Sequence, residues 1–280
     1  MIVFPNAKIN IGLKILRKRV DGYHDISTVM VPIDLCDILE IVKSEPGSGI
    51  RLFTSGNKVD CPYEKNLVYK AAKAMEEYMN SQLDINIYLK KIIPDGAGLG
   101  GGSSDAAFTI KCLNNLFEDS LDNNEMESIV ANIGADCPFF IRNTPAVATG
   151  KGENLSPIKL HLDKWIVVIV KPPQSISTAQ AYAGIVPHES NDTPDSMITR
   201  PVEEWRDCIV NDFEPVIYRH YPELANIKEL LYQAGAIYAS MSGSGSAFYA
   251  LFPEFTDKLS PLLEIMKNKN YGVYVKTFIL

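Results

Sequence analysis

Residues 94–107 read Pro94-Asp95-Gly96-Ala97-Gly98-Leu99-Gly100-Gly101-Gly102-Ser103-Ser104-Asp105-Ala106-Ala107, with five glycines and two serines in the stretch. Glycine reaches φ > 0 and lets backbone approach a ligand with no Cβ in the way. Consecutive N–H groups can then converge on an anion, and a helix starting directly after the glycines turns its positive end to the same place. The chemistry available here is phosphate binding. A helix N-terminus supplies only about half a positive charge, so a polyphosphate held there also needs cations.

Two common templates fail on this stretch. Gly96-Ala97-Gly98-Leu99-Gly100-Gly101 matches GxGxxG, but the dinucleotide fingerprint also needs a second strand ending in an acid about 20 residues on. Glu118 and Asp119 stand near that distance, at the end of an expected helix with another helix following. The Walker-type P-loop needs Lys-Ser/Thr after its last glycine, whereas Gly102 is followed by Ser103-Ser104. A flexible linker is the blander reading, but linkers seldom lead directly into a capped amphipathic helix.

Other polar residues carry bland readings when taken alone. Lys8 and Asn10 read as a solvated strand face, and Asp136, two residues before Pro138, as a helix cap. Tyr23 and His24 follow the turn signal Asp21-Gly22 and read as hairpin residues. Asn66 reads as a helix start, Lys91 as a surface lysine and Tyr182 as helix core.

These residues must be positioned by local structure. Residues 3–16 alternate between apolar and polar, which predicts a strand. Residues 26–42 are β-rich, with a break expected at Pro32 and Asp34, and 50–54 reads as a short strand. Residues 65–80 have a helical apolar face, and residues 84–93 alternate again before the glycines. A helix is expected from Ser103, with Ser103 or Ser104 as its N-cap, and another over 123–133 closed by Gly134. Beyond these, strands are expected at Trp165–Val170, Ala236–Ser240, Ala247–Phe252 and 272–279. Helices are expected at 200–211, 222–234 and 255–269. Residues 150–164 read as a domain boundary and 186–200 as a mobile loop. The strands are grouped early and do not alternate strictly with helices, which is α+β.

The 280 residues are 46% apolar and 22% charged, an ordinary globular balance with room for one large domain or two modest ones. A net charge of −7 argues against a general nucleic-acid binder. Cys36, Cys61, Cys112, Cys137 and Cys208 are scattered without a CxxC, which reads as reduced thiols. His24, His161, His188 and His220 show no metal-ligand spacing. Neither a signal peptide nor a membrane span is expected.

Taken together, four segments resemble the GHMP kinase superfamily, which includes galactokinase, homoserine kinase and mevalonate kinase. Pro5-Asn6-Ala7-Lys8-Ile9-Asn10-Ile11 resembles its first motif, Gly98–Ala107 its second, and Ser242-Gly243-Ser244-Gly245-Ser246 its third. Arg19-Val20-Asp21-Gly22-Tyr23-His24 resembles the signature of a branch whose acceptor carries cytidine. The match runs through most of the chain in the right order.

The resemblance implies an α+β, two-domain GHMP kinase fold with the active site in the cleft between domains, residues 1–152 forming one domain and 153–280 the other. It implies an ATP-dependent kinase that uses Mg²⁺ with its ATP, and Asp136 and Lys8 as the catalytic residues. ATP would be contacted by Pro94, Asp95, Gly96, Ala97, Gly98, Leu99, Gly100, Gly101, Gly102, Ser103 and Ser104. Asn66 and Lys91 would lie at adenine. The acceptor, a small cytidine diphosphate compound, would be held by Asn10, Tyr23, His24, Tyr182, Ser242, Gly243, Ser244 and Gly245. Among the Mg²⁺ ligands, which stay open, Ser103 and Ser104 are at hand. A cytoplasmic monomer or weak homodimer is implied, with no nucleic-acid or membrane partner. Asp95 departs from the family pattern, which has an apolar residue there.

Overall fold

The chain opens with β1 (Ile2–Val3) and the long β2 (Asn6–Lys18), the alternating stretch expected over 3–16. In the computed structural model the described residues are 1–59, 61–118, 120–189, 192–253 and 257–280. Asp119 and residues 255–256 of the helix expected at 255–269 lie outside them.

β3 (His24–Cys36) runs straight through Pro32 and Asp34, where a break was expected. The end of the chain explains this. Ile279 N–H donates to the Pro32 carbonyl and Asp34 N–H to Thr277, so the proline is tolerated beside a short partner segment. β4 (Ile38–Lys43) and β5 (Ile50–Gly56) follow, then a 3₁₀ turn at Tyr63–Lys65 and α1 (Leu67–Tyr78). β6 (Ile85–Lys91) leads through the glycines to α2 (Gly101–Leu116). The N-cap of α2 is Gly100, at φ 71°, so Ser103 and Ser104 fall inside the first turn and not at the cap. α3 (Asn123–Ala131) carries a capping box between Asp122 and Glu125 and ends on Asn132 instead of Gly134.

α4 (Cys137–Arg142) precedes β7 (Ala146–Gly150) and β8 (Asn154–Pro157). The segment 150–164, expected as a domain boundary, contains β8, which pairs antiparallel with β7. β9 (Ile166–Lys171), α5 (Thr178–Ala183) and α6 (Pro194–Met197) come next. α6 gives the expected loop at 186–200 a helical turn whose Met197 is buried. The helix expected at 200–211 shrinks to a 3₁₀ turn at Val202–Glu204 and α7 (Trp205–Cys208). Residues beyond it are drawn out by β2, since Leu13 N–H donates to Val210 and Asp212 N–H to the Leu13 carbonyl. α8 (Glu214–His220), α9 (Pro222–Gln233), β10 (Tyr238–Met241), β11 (Phe248–Phe252), α10 (Leu259–Asn268) and β12 (Gly272–Lys276) complete the chain.

The chain divides into two compact units, each assembled from separate segments. The first comprises Met1–Ala7, Leu35–Asp95 and Gly100–Asn143. Its sheet has the order β1-β4-β6-β5, with β5 parallel to β6, and α1 to α4 pack against one another. The second comprises Lys8–Asp34, Gly96–Leu99 and Thr144–Leu280, with sheets β2-β3-β7-β8 and β10-β11-β9-β12. Its core joins Val168, Phe248 and Phe252 to Phe213, Leu224 and Leu262. The expected division at 152/153 does not coincide with this one and falls within the second unit. β2, β3 and the glycine loop each contribute to both units, an exchange that no local change of composition marks.

Candidate active site

Three motifs far apart in sequence meet in the second unit. The antiparallel pair β10 and β11 is joined by the glycine-rich turn, where Ser242 N–H donates to the Ala247 carbonyl at 2.8 Å. Ser242 Oγ donates to the Gly98 carbonyl at 2.9 Å and accepts from Asn10 N–H at 3.2 Å. Ala247 N–H reaches the Ala97 carbonyl at 3.2 Å, and Lys8 N–H the Leu99 carbonyl at 2.9 Å. The approach requires glycine at 98. A Cβ there would stand 2.1 Å from the Ser242 carbonyl oxygen, and φ is +74°. Gly243, Ser244 and Gly245 form the rest of the turn, with Ser244 alone of these half-buried and the glycines covered. The Asn211 amide donates to the carbonyls of Met241 and Gly243, both at 2.8 Å, and accepts from Phe213 N–H.

The polar side of β2 is not solvated. Lys8 and Asn10 are 4% and 3% exposed. Lys8 Nζ donates to Asn10 Oδ1 at 2.5 Å, Asn10 Nδ2 to Thr28 Oγ1, and Thr28 to the Gly12 carbonyl. A relay of three side chains thus fixes the Lys8 ammonium.

At the far end of β2 and β3, His24 stacks on Tyr182, with ring centroids 4.8 Å apart and planes 18° off parallel. Tyr182 also lies edge-on to Phe213. α5, which carries Tyr182, starts with a capping box between Ser177 and Gln180. Tyr23 is exposed, and the Lys151 ammonium lies over its ring. The aromatic facing Tyr182 is therefore His24. Burial, with help from Lys18, lowers the His24 pKa.

In the first unit, Gly101, Gly102, Ser103 and Ser104 form the opening turn of α2; Ser104 N–H donates to the Gly100 carbonyl at 2.9 Å, and the N–H groups before it, with the helix's positive end, suit an anion. Ser104 Oγ is buried without a hydrogen-bond partner. Asp136 is half-buried at the N-cap position of α4 but does not cap it with its side chain. The next residue, Cys137, bonds to Ser103, while burial pushes its thiol up to about 11. A Cβ on Gly134 would meet Cys137 Sγ at 3.1 Å and Ser103 Oγ at 3.6 Å. The loop carrying Asp136 is thus packed against the start of α2. Serine hydroxyls and a carboxylate are hard oxygen donors, which fit Mg²⁺ bound together with phosphates.

β6 alternates Ile85, Ile87, Leu89 and Lys91 on its buried face. Lys91, 4% exposed, pairs with Asp37 and, at 2.6 Å, with Asp105. Asp37 also accepts Ile92 and Ile93 N–H. Burial works against the Lys91 ammonium, but Asp105 and Asp37 outweigh it and its pKa is raised. Burial pushes Asp105 up to about 8, with Asp37 adding to the rise and Lys91 opposing it. Beside this cluster lies a cavity of about 210 Å³, walled by Val59, Leu67 and Leu89 with Asn66, Lys91 and Asp105. Ligand sites commonly measure ~300–1,000 Å³, so this one suits a single heterocycle. Asn66 Oδ1 accepts from Val68 N–H, so it is also the cap of α1. Pro94 and Asp95 follow the cavity on the way to the glycines, and Asp95 is exposed at its edge.

The sequence reading missed Asp37, Asp105 and Asn211. The period-2 pattern of β6, which puts Lys91 in line with three buried apolar residues, was the available signal for a buried cation needing acids. For Asn211 no local signal exists. Among the described residues no cluster of three or more His, Cys, Asp or Glu could hold a metal by itself, and no helix is long and apolar enough to cross a membrane.

Residues 66–144 match the family described as GHMP kinases N terminal domain, and residues 197–270 the one described as GHMP kinases C terminal. The 4-diphosphocytidyl-2-C-methyl-D-erythritol kinase of Azobacteroides pseudotrichonymphae is 49% identical over 253 residues, 90% of this chain and 93% of that one. The protein of the same name from Parabacteroides distasonis is 46% identical, over 91% and 93%. A crystal structure of 4-(cytidine 5'-diphospho)-2C-methyl-D-erythritol kinase superposes with a TM-score of 0.84 at 30% identity, covering 99% of both chains. Homoserine kinase from Cytophaga hutchinsonii, 17% identical with a TM-score of 0.74 over 98% and 95% of the chains, shares the fold.

Proposed function

The chain belongs to the GHMP kinase family, and from that premise we infer that it phosphorylates the 2-hydroxyl of 4-diphosphocytidyl-2-C-methyl-D-erythritol with ATP, in non-mevalonate isoprenoid biosynthesis. Its fold is the two-domain α+β fold of that family. The observation that carries the reading is the meeting of Gly96–Leu99, the Ser242 turn and the Lys8–Asn10 pair in one unit.

In this reading the Asp136 carboxylate takes the proton of the 2-hydroxyl. The oxygen bonds to the γ-phosphorus, the bond from that phosphorus to the β–γ bridging oxygen breaks, and ADP leaves. Phosphoryl transfer is mostly positioning and charge stabilisation. Lys8, fixed by Asn10, supplies charge at the transferred group. The N–H groups of the 94–104 segment hold the phosphates, and Asn66 and Lys91 border the place of adenine. Mg²⁺, bound with ATP, would offset phosphate charge, with the Ser103 and Ser104 hydroxyls as this chain's ligands. Tyr23, His24 and Tyr182 hold the cytosine, and the Ser242–Gly245 turn shapes the acceptor side. The activity is that of a cytoplasmic biosynthetic enzyme working as a monomer or weak homodimer.

A coupled ADP-release assay tests the assignment. ADP release with 4-diphosphocytidyl-2-C-methyl-D-erythritol, and none with homoserine or mevalonate, is expected. Release only with another acceptor, or with none, overturns it.

A further inference from the structure

We propose that Asp95 binds the ribose hydroxyls of the nucleotide and so selects ribonucleotides over deoxyribonucleotides. The proposal rests on the reading above, that the cavity beside Lys91 takes the base.

Asp95 borders the same cavity as Asn66, Lys91 and Asp105. Lys91 and Asp105 are 4% and 2% exposed, so they mark the cavity's inner end, whereas Asp95 is exposed and marks its mouth. In sequence it lies between the cavity wall at Leu89 and Lys91 and the glycines that follow at Gly96. A nucleotide has the same order of base, ribose and phosphates. With the base inside and the phosphates on the glycine segment, the group reaching the mouth is the ribose.

The chemistry agrees with the position. An aspartate placed toward the phosphates would repel them, and one buried beside the base would lose its hydration, so an exposed carboxylate suits the ribose between them. The ribose 2'- and 3'-hydroxyls are the nearest donors on a nucleotide that welcome an ionised acceptor. Acidic side chains hold ribose hydroxyls in this way at other nucleotide sites. Lys65 borders the same cavity and supplies a cation that offsets the carboxylate's effect on the phosphates.

The test measures binding, not turnover. Isothermal titration of the wild-type protein with ADP and with 2'-deoxy-ADP and 3'-deoxy-ADP should show ADP bound about tenfold tighter than either, the scale of a hydrogen bond to a charged group. Asp95→Ala should bind all three alike, and no more tightly than the wild type binds the deoxy forms. Asp95→Asn, which keeps the shape and loses the charge, should show a narrowed gap. Equal binding of the three by the wild type, or a gap unchanged in Asp95→Ala, overturns the proposal while leaving the kinase reading intact. A changed preference between ADP and GDP in Asp95→Ala, with the ribose gap unchanged, would put the carboxylate on the base and also overturn it. Failure of the wild type to bind any of these nucleotides overturns the kinase reading itself.

Discussion

Ser242 donates its hydroxyl to the carbonyl of Gly98 at 2.9 Å, tying together two glycine-rich turns 144 residues apart. The contact depends on a backbone approach that only glycine allows, since a Cβ at 98 would stand 2.1 Å from the Ser242 carbonyl oxygen.

Gly98→Ala should therefore destabilise the protein by more than ~2 kcal/mol, combining strain at φ > 0 with a backbone clash. Gly102→Ala is the control. Gly102 is helical, and the nearest atom to its Cβ would be Leu67 Cδ1 at 3.5 Å. That change should stabilise the protein by about 0.5–1 kcal/mol, as alanine does over glycine within a helix. Urea unfolding of both variants beside the wild type measures the two effects.

The buried Asp105 predicts how stability varies with pH. Its folded pKa, about 8, lies above the unfolded value of 3.8. Between those values the native state holds a proton that the unfolded chain has released, so stability falls as pH rises through this window. The slope from this group is at most about 1.4 kcal/mol per pH unit. Asp105→Asn removes it, and unfolding curves from pH 5 to pH 8 should lie closer together than those of the wild type. Lys91→Met leaves the buried Asp37 carboxylate without its cation and should cost about 3–5 kcal/mol.

Asp136 makes no capping bond to α4. Asp136→Asn keeps the side chain's shape and removes no cap, so it should cost no more than about 1 kcal/mol of stability, the scale of a typical substitution. Turnover should drop by about 10²–10⁴, the usual contribution of a positioned base. Steady-state kinetics with a melting curve on the same sample separates the two effects. Unchanged turnover would remove Asp136 from the reaction.

Cysteine labelling offers an independent check on the base cavity. Cys61 is exposed and borders that cavity, whereas Cys112 and Cys137 are buried, with burial pushing both thiols up to about 11. A thiol reagent at pH 8 should modify Cys61 in the native protein and reach Cys112 and Cys137 only on unfolding. ADP should slow the Cys61 reaction severalfold, as read by mass spectrometry of the digested protein.

Much of this molecule is legible in local sequence. The glycines at 96–102, the helix after them, the alternation of β2 and β6, and the helix at 222–234 follow from turn chemistry and periodicity within a few residues. Lys8, Asp136 and the Tyr23-His24 pair stand out as chemical groups in motifs that the sequence alone displays.

What those groups touch was decided by tertiary structure. Lys8 on a strand's polar side looks solvated until Asn10 and Thr28 enclose it, and Lys91 looks like a surface cation until Asp37 and Asp105 arrive from other elements. Pairing to distant backbone carries β3 past Pro32 and keeps residues 209–212 out of a helix. Asn211 holds the Ser242 turn through carbonyls 30 and 32 residues away. Burial and long-range hydrogen bonding depend on which segments the fold brings alongside, whereas propensity and periodicity report only on near neighbours in the chain. That is why the chemical groups could be read from the sequence and their partners could not.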